Sequence, residues 1–440
     1  MKRPLKGLWR TSLVVFGLLL AAYLVNRRPA IGSSDTIAAE YLPLAILRGD
    51  GPVLDRFGAV WAPPGARVPS YMERSRGHLV SRYPIATPLF LVPLEAPQIW
   101  AYDRTWPGWD RQVASTFTVT QRMAKNASAF LAAVLGVCLY QYLRRIHLSW
   151  AALPATLAAC LGSDLWVVAS QAPWQHGPAA LALVLSLLAL ATRVEPPNRR
   201  RLFLGGWTTA LMVAFRPLDL VLAIVVLAWV VRRVPGRAFW FMPGPIVVGC
   251  LVLSWNFYWF GVAEGGQRAI EEVHGHPHGT FGGNPIAGGL GTLFSPGRGL
   301  FVYCPWVAAA LAFLPWTWSS LRERSLVLWL TMGIVPYFMV LATYQVWWGG
   351  HTFGPRYWTD LTPLFAVLFG FALEEARRRG SVLVAILLLS TLLGVVPQVI
   401  GAFCFPSTWN AKPIDVNAEP GRLWQWRDCE LRRCLLEGAR

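Results

Sequence analysis

The chain has 440 residues, of which 55% are hydrophobic and only 14% charged, and its mean hydropathy is +0.42. The apolar residues form long runs, which excludes a disordered chain, a coiled coil and a small disulfide-rich domain and predicts an all-α polytopic membrane protein. In a soluble protein, a net charge of +17 would suggest a nucleic-acid partner. In a membrane protein the interpretation of this charge depends on where the charged residues lie.

Eleven apolar runs predict helices that cross the membrane, because a bilayer core needs ~20 apolar residues per helix. They cover residues 11–26, 127–143, 149–169, 173–192, 202–215, 217–231, 238–260, 299–318, 325–345, 357–373 and 381–404. The first run follows a basic N-terminus, as in a signal peptide. No small-residue cleavage site comes after it, so we expect an uncleaved first helix.

Basic residues cluster in every second connection between these runs. Eighteen of the forty basic residues share these connections with only four acids. The eighteen are Lys2, Arg3, Lys6, Arg10, Arg144, Arg145, Arg193, Arg199, Arg200, Arg201, Arg232, Arg233, Arg237, Arg322, Arg324, Arg377, Arg378 and Arg379. The three short connections on the other side carry only Arg216 and Arg356. The positive-inside rule then makes the N-terminus cytoplasmic and the C-terminus external, so the charge reports topology and no nucleic-acid partner is expected.

Residues 85–100 are also apolar and are a candidate for a further membrane span. Prolines at positions 84, 88, 93 and 97 and the carboxyl group of Glu95 are expected to break the segment into a piece too short to cross. Counting it as a span would also place the later arginine clusters outside. We therefore expect this segment to lie on the outer membrane surface.

The predicted organisation has six parts. They are the first membrane helix at 1–26, an external loop with interfacial helices at 27–125, helices two to seven at 126–260, an external Gly- and His-rich loop at 261–298, helices eight to eleven at 299–404, and an external tail at 405–440. We find no internal repeat or low-complexity region.

The cysteines and histidines give no metal-ligand spacing. Cys429 and Cys434 fall in the external tail. The sequence leaves two alternatives open for them, a disulfide with each other or two free thiols. His274, His276 and His278 alternate in the Gly-rich loop, which favours a mobile polar lid over a metal site.

Ionisable groups collect at the predicted outer ends of the spans, where charge is less costly than at mid-bilayer. Five separate hairpins present such groups to one external face. The groups are Asp35, Glu40, Asp164, His176, Arg216, Asp219, Arg298, His351, Arg356 and Asp360. This clustering predicts a polar site at the external face.

Two turns are unusually polar and rigid for the edge of a membrane. Residues 295–300 (SPGRGL) bring Arg298 to a helix start, where backbone N–H groups and a guanidinium suit a phosphate. Residues 347–357 (WWGGHTFGPRY) combine Trp347 and Trp348 with His351 and Arg356. The two indoles fit either interfacial anchoring or stacking on a sugar, whereas a simple turn needs neither the histidine nor the arginine.

Asp35 has two interpretations that sequence alone leaves open. Residues 33–35 (SSD) precede a helix-like run, so the Asp35 carboxylate suits an N-cap. The same carboxylate can also face a cavity. Glu40 likewise fits either a residue that orients a substrate or a solvated helix face.

The first external loop resembles that of the GT-C glycosyltransferases. The features that carry the likeness are Asp35 soon after the first span, a short helix ending at residues 48–50 (RGD), and residues 82–84 (RYP) leading an apolar segment. Within that superfamily the chain looks most like the bacterial branch that contains the lipid A aminoarabinose transferase and related protein and cell-wall glycosyltransferases. It departs from the aminoarabinose transferase by having RYP in place of a Lys-Pro element and by lacking a large soluble C-terminal domain.

The resemblance implies an inverting glycosyltransferase in the bacterial inner membrane, with its active site on the periplasmic side and no cofactor. The donor is expected to be a sugar on a polyprenyl phosphate, and Asp35 to be the general base on the acceptor hydroxyl. Cationic groups are expected around the departing lipid phosphate. Those candidates are Arg82, Arg216, Arg298 and Arg356, supported by Glu40, His176, His351, Trp347 and Trp348.

The identity of the substrates stays open. A pentose such as arabinofuranose and a hexose both fit, and the acceptor is a glycan, a lipid or a protein. Two other classes of protein share this layout. One is a transporter or flippase of lipid-linked sugars, and the other is a non-catalytic membrane subunit that binds lipid-linked glycans.

Overall fold

The described part of the chain is helical apart from one short hairpin. The computed structural model describes residues 8–26, 28–30, 32–63, 65–190, 196–273, 280–322, 324–405 and 407–437. His274, His276 and His278, together with the basic residues at positions 2, 3, 6 and 193, lie outside these ranges.

Nineteen α-helices are present in the described residues. They are α1 Leu8–Leu24, α2 Ser34–Leu47, α3 Gly58–Trp61, α4 Ala86–Thr105, α5 Val113–Arg145, α6 Ala152–Leu161, α7 His176–Leu190, α8 Arg199–Phe215, α9 Leu220–Arg233, α10 Pro243–Phe260, α11 Gly266–Val273, α12 Pro285–Phe294, α13 Leu300–Tyr303, α14 Pro305–Ala312, α15 Leu314–Arg322, α16 Ser325–Ala342, α17 Thr362–Arg379, α18 Ser381–Cys404 and α19 Glu430–Glu437. Strands β1 Met72–Ser75 and β2 His78–Ser81 pair antiparallel.

The prediction of an all-α, membrane-type fold is confirmed, but that of eleven crossings is not. Three helices in the described residues, α5, α16 and α18, are long and apolar enough to cross a bilayer. The predicted span at 299–318 is divided among α13, α14 and α15, since Pro305 starts a new helix and lacks the N–H that would continue the old one. The span predicted at 149–169 ends as α6 at Leu161 and continues as a π-helical turn, Leu165–Ala169.

The segment at 85–100 is not broken by its prolines, so that expectation was wrong. Helix α4 runs through it for 20 residues with Pro93 and Pro97 inside. It packs against α2 and α5, and the carboxyl group of Glu95 is fully buried on it. Packing against neighbouring helices outweighs the lost backbone hydrogen bonds, which propensity alone does not foresee. The position of α4 at the membrane surface stays a prediction.

Two apolar cores lie side by side. The larger one joins residues of α1, α5, α6, α7, α14, α17 and α18. The smaller one belongs to the first loop, where Tyr41, Phe57, Trp109 and Met123 pack together. The loop is therefore a packed lobe, and its hairpin delivers Tyr83 to the gap between α2 and α4.

The C-terminal tail is folded against the turn that precedes α17. Trp409, Val416 and Leu423 of the tail pack on Trp347 and Trp348. A disulfide joins Cys404 to Cys434 across a sequence separation of 30, so the pairing considered between Cys429 and Cys434 is wrong. The thiol of Cys429 is free and buried. The partner, Cys404, is the last residue of an apolar helix and was not counted with the tail.

We expect the Cys404→Ser and Cys434→Ser variants to lose this crosslink and the Cys429→Ser variant to keep it. Non-reducing peptide mass spectrometry would detect the linked pair. Opening a loop of this length is expected to lower the free energy of unfolding by about 3–4 kcal/mol. A crosslink that survives in Cys404→Ser but disappears in Cys429→Ser would contradict the observed pairing.

Candidate active site

Asp35 lies in the first turn of α2, and its two carboxylate oxygens contact different partners. Ser33 caps the helix by accepting from the Asp35 backbone N–H, so the Asp35 side chain is not the N-cap. The Tyr83 hydroxyl donates to Asp35 Oδ1 at 2.8 Å, and Arg356 Nη1 donates to Oδ2 at 2.6 Å. The Asp35 side chain is 21% exposed. The carboxylate thus faces the inside of the protein at a point that solvent still reaches.

The charge on Asp35 is stabilised by its neighbours. Burial by itself would raise the pKa of the carboxyl group, but Arg356 and the Tyr83 hydroxyl outweigh burial and hold the pKa below its ordinary value. His176 adds a smaller effect in the same direction. Asp35 is therefore ionised at neutral pH while it remains paired with Arg356.

Arg356 is buried and incompletely paired. Its guanidinium lies over the rings of Trp174, at 4.7 Å, and Tyr357, at 5.3 Å. Among the described residues its only acceptor is Asp35, and its Nε atom has none. Gly349 packs against this guanidinium with φ at +74°, and a Cβ there would stand 2.9 Å from Arg356 Nε. The turn before α17 therefore needs glycine where it passes the arginine.

A second cationic group lies beside the first. Helix α8 ends at Phe215 because Pro217 follows Arg216, which takes an extended conformation. Arg216 Nε lies 2.6 Å from Asp360 Oδ2, and Arg216 Nη1 donates to His176 Nε2 at 2.9 Å. His176 Nδ1 donates to Asp360 Oδ1 at 3.0 Å. An ion pair and two hydrogen bonds thus join these three buried side chains in one cluster.

Tyr357 connects the two groups. Its ring centroid is 5.3 Å from the guanidinium carbon of Arg216 and 5.3 Å from that of Arg356. The short helix Arg356–Leu361 supplies both Arg356 and Asp360. Asp35, His176, Arg216 and Arg356 come from four separate segments, and the structure brings these four of the predicted site residues together.

A small cavity opens beside Asp35 between α2 and α4. Its polar lining consists of Asp35, Ser81, Tyr83, Thr87 and Gln175. The hydroxyl group of Thr87 is buried without a hydrogen-bond partner. The cavity therefore offers unused polar groups next to the carboxylate, on the side of Tyr83.

Arg298 does not join this site, contrary to the expected role at a donor phosphate. It is buried, and its guanidinium donates to the Trp348 carbonyl at 3.0 Å, the Asn410 side chain at 2.6 Å and Glu430 at 2.9 Å. A fourth contact reaches the Gly350 carbonyl at 3.3 Å. These bonds occupy all three of its nitrogen atoms, so Arg298 ties the tail to the turn at 348–350.

Arg82 also points elsewhere. Its guanidinium contacts Glu73 at 3.3 Å and the Ser70 carbonyl at 3.0 Å. Strand β2 ends at Ser81, and the bend that follows turns Tyr83 toward Asp35 while Arg82 stays against the hairpin. The charged residue of the RYP segment was the expected one, whereas the tyrosine contacts the carboxylate.

His351, Trp347 and Trp348 belong to the contact with the tail. His351 pairs with Asp415 at 2.9 Å and is 41% exposed. Both indoles are 8% exposed and are packed in the tail cluster, with Trp348 Nε1 donating to Asn417 at 2.9 Å. Their rings are covered, so the expectations of sugar stacking and of interfacial anchoring are not supported.

Glu40 is buried, which corrects the alternative of a solvated helix face. The Thr36 hydroxyl donates to it at 2.7 Å. Burial raises the pKa of Glu40 to about 7, and burial together with Glu40 raises the pKa of Glu95. The acids of α2 therefore differ, because Asp35 has a cation beside it and Glu40 has neutral partners.

Several residues of the site were missed or given no role by sequence analysis. They are Tyr83, Trp174, Tyr357 and, as the partner of Arg216, Asp360. Asp360 was visible as an external acid, and the RYP segment was noted. The aromatic residues carried no signal that separated them from the many others in an apolar chain.

Comparison with protein-family models, curated proteins and solved structures finds no match to this chain. In the described residues, no group of three or more His, Cys, Asp or Glu side chains is arranged to hold a metal ion. The chemistry available to the site is that of two carboxylates, two guanidinium groups, an imidazole and two phenols, of which the carboxylate of Asp35 and the phenol of Tyr83 line the cavity.

Replacing Glu430 with Gln is expected to destabilise the protein strongly. The change leaves the buried Arg298 without a charged partner, which typically costs about 3–5 kcal/mol. Denaturant unfolding in detergent would measure the loss. The control is Glu375→Gln, which removes an ion pair with the half-exposed Arg379 and should cost under about 1 kcal/mol. Equal effects in the two variants would refute the structural role of Arg298.

The stability of the protein should fall as the pH rises from about 4.5 to about 7, in part because of Glu40. In that window the folded protein holds a proton that the unfolded chain has released, so rising pH favours unfolding. In the Glu40→Gln variant, the drop in the free energy of unfolding between these two pH values should be smaller by up to about 3 kcal/mol. Unfolding curves at several pH values would measure it, with Glu73→Gln as the control. An unchanged slope in Glu40→Gln would contradict the buried, proton-holding state.

Proposed function

We propose that the protein is an inverting glycosyltransferase of the GT-C type, which moves a sugar from a polyprenyl phosphate to a hydroxyl acceptor. The observation that carries the proposal is the contact of Asp35 with Arg356 and Tyr83 at the edge of a cavity. A carboxylate beside spare cationic donors is what an acceptor hydroxyl and a phosphate leaving group require. The resemblance of the first loop supports the same function.

The proposed reaction is a single displacement. The acceptor oxygen bonds to the anomeric carbon, the bond from that carbon to the phosphate oxygen breaks, and the acceptor proton passes to Asp35. Arg356 stabilises the charge that develops on the departing lipid phosphate. Arg216 adds positive charge behind Tyr357, while Asp360 and His176 hold Arg216 in place.

The proposed location is the external face of the bacterial inner membrane. Eleven crossings with a cytoplasmic N-terminus would place Asp35, His176, Arg216 and Arg356 on one side. Nucleotide sugars are not available on that side, which favours a lipid-linked donor. A pentose or hexose donor and a glycan, lipid or protein acceptor are all compatible with this scheme.

A transporter or flippase of lipid-linked sugars is the second candidate. Transport pathways typically carry ionisable groups near the membrane midplane. Asp164 and Asp219 are buried acids, but the apolar runs put both at the outer ends of the predicted spans, which weighs against a transporter.

Replacing Asp35 with Asn should abolish sugar transfer. Because the change also removes the charged partner of the buried Arg356, denaturant unfolding of the variant accompanies the assay and separates lost catalysis from lost stability. Removal of a general base typically lowers the rate about 10²–10⁴-fold. The assay would use purified protein, a panel of polyprenyl-phosphate pentoses and hexoses, and envelope acceptors, with product detected by mass spectrometry. The control is Asp103→Asn, which removes a carboxylate paired with Arg48 in the same loop.

Transfer at the parental rate by Asp35→Asn would show that Asp35 is not the base. If neither protein transfers any sugar, while both move a labelled lipid-linked sugar across liposome membranes, the transporter is the correct assignment.

A further inference from the structure

The ion pair between Asp35 and Arg356 conflicts with the proposed role of Asp35. A general base must accept a proton, and the neighbouring guanidinium and phenol lower the pKa of this carboxyl group. The same pair occupies Arg356, which is meant to receive the phosphate. In the unliganded protein each group therefore blocks the other.

Asp35 and Arg356 form only one of the two hydrogen bonds that a carboxylate and a guanidinium can share. A guanidinium and a carboxylate can share two parallel hydrogen bonds, but here a single bond joins Arg356 Nη1 to Asp35 Oδ2. An arginine has five N–H donors, and Arg356 uses one of them on an acceptor in the described residues. Its Nε is buried without any acceptor. A buried donor without an acceptor is costly, so this Nε is suited to take an acceptor oxygen from a bound ligand.

The missing ligand should be an anion with several acceptor oxygens. Phosphate fits a guanidinium fork with two parallel bonds, and the rings of Trp174 and Tyr357 keep the fork in one orientation. Arg216 suits this part less well. Its Nε also lacks a hydrogen-bond partner in the described residues, but that nitrogen lies 2.6 Å from the carboxylate of Asp360, and Nη1 contacts His176. Arg356 is the cation that contacts Asp35, and we therefore assign the phosphate to it.

Asp35 would keep its position if Arg356 turned to a phosphate. The Tyr83 hydroxyl donates to the other oxygen, Oδ1, and the backbone of Asp35 is held by the Ser33 cap at the start of α2. Oδ2 would then be the oxygen that gains capacity to accept a proton. The cavity with Ser81 and Thr87 lies next to the same carboxylate.

We infer that Arg356 masks the base in the free protein and that a lipid-linked phosphate unmasks it by replacing Asp35 on the guanidinium. The inference rests on the proposed function. It assigns an order to the reaction, in which the phosphate-bearing donor binds first and the acceptor is deprotonated afterwards.

Binding measurements test this without any turnover. The full-length protein in detergent would be titrated with farnesyl phosphate, with farnesol and with inorganic phosphate, using calorimetry. Removing the competing carboxylate in Asp35→Asn should tighten farnesyl phosphate binding by about fivefold or more. Arg356→Gln should weaken it by about tenfold or more, because a charged bidentate contact is lost. In the double variant the gain from Asp35→Asn should disappear, since that gain acts through Arg356.

Controls separate a folding defect from a binding defect. Asp103→Asn, which removes one of the two carboxylates paired with Arg48 in the same lobe, should bind like the parent. If Arg356→Gln does not fold, Arg356→Lys keeps the charge but not the fork and should bind with intermediate affinity.

The unfavourable outcomes point to different errors. If farnesyl phosphate binds tightly but with the same affinity to the parent and to Asp35→Asn, Arg356 does not mask Asp35. The proposed lipid-phosphate donor would still stand. A gain that persists in the double variant would overturn the masking as well, because Arg356 would not be the mediator. Equal affinity for inorganic phosphate would contradict a lipid-linked source. No preference for farnesyl phosphate over farnesol would remove both the inference and the donor assigned under the proposed function.

Discussion

The site depends on how a buried guanidinium is neutralised. Arg356 lies in the turn before α17 and Asp35 lies 321 residues earlier, at the start of the first loop. Transferring the arginine out of water is costly unless a negative group accompanies it. The contact therefore fixes the first-loop lobe against the helical bundle at one point, and it sets the ionisation of the carboxylate there.

A second buried arginine connects the tail to the same region. Arg298 bonds to Glu430 of α19 and to the carbonyl groups of Trp348 and Gly350. Between these two carbonyl groups lies Gly349, which packs against Arg356. The tail, anchored by the disulfide to α18, thus supports the turn that positions Arg356. An arginine that looked like a ligand-binding group is instead part of the framework behind one.

Neighbouring acids in the first loop have opposite proton affinities for physical reasons. Asp35 has Arg356 and Tyr83 beside it and is ionised. Glu40, on the same short helix, is buried near Glu95, and its pKa is raised to about 7. The pKa values of Asp35 and Glu40 differ because their neighbouring groups differ. Burial is not the cause of the difference, since burial by itself raises the pKa of both groups. A single charged carboxylate consequently faces the cavity.

Apolar run length acts locally, so the helical, membrane-type architecture follows from the sequence alone. The sequence also predicts that ionisable groups gather in one place, because charge is costly elsewhere in an apolar chain. It does not separate the charged residues of the site, Asp35, His176, Arg216 and Arg356, from those of the framework, Arg82, Arg298 and His351; contacts in the folded protein make that separation. Arg298 and Arg356 both follow a Gly/Pro turn, and nothing local to either predicts that Glu430 accepts one and Asp35 the other. The same holds for Tyr83 over Arg82 and for Cys404 over Cys429, because such choices follow from contacts between segments far apart in the chain.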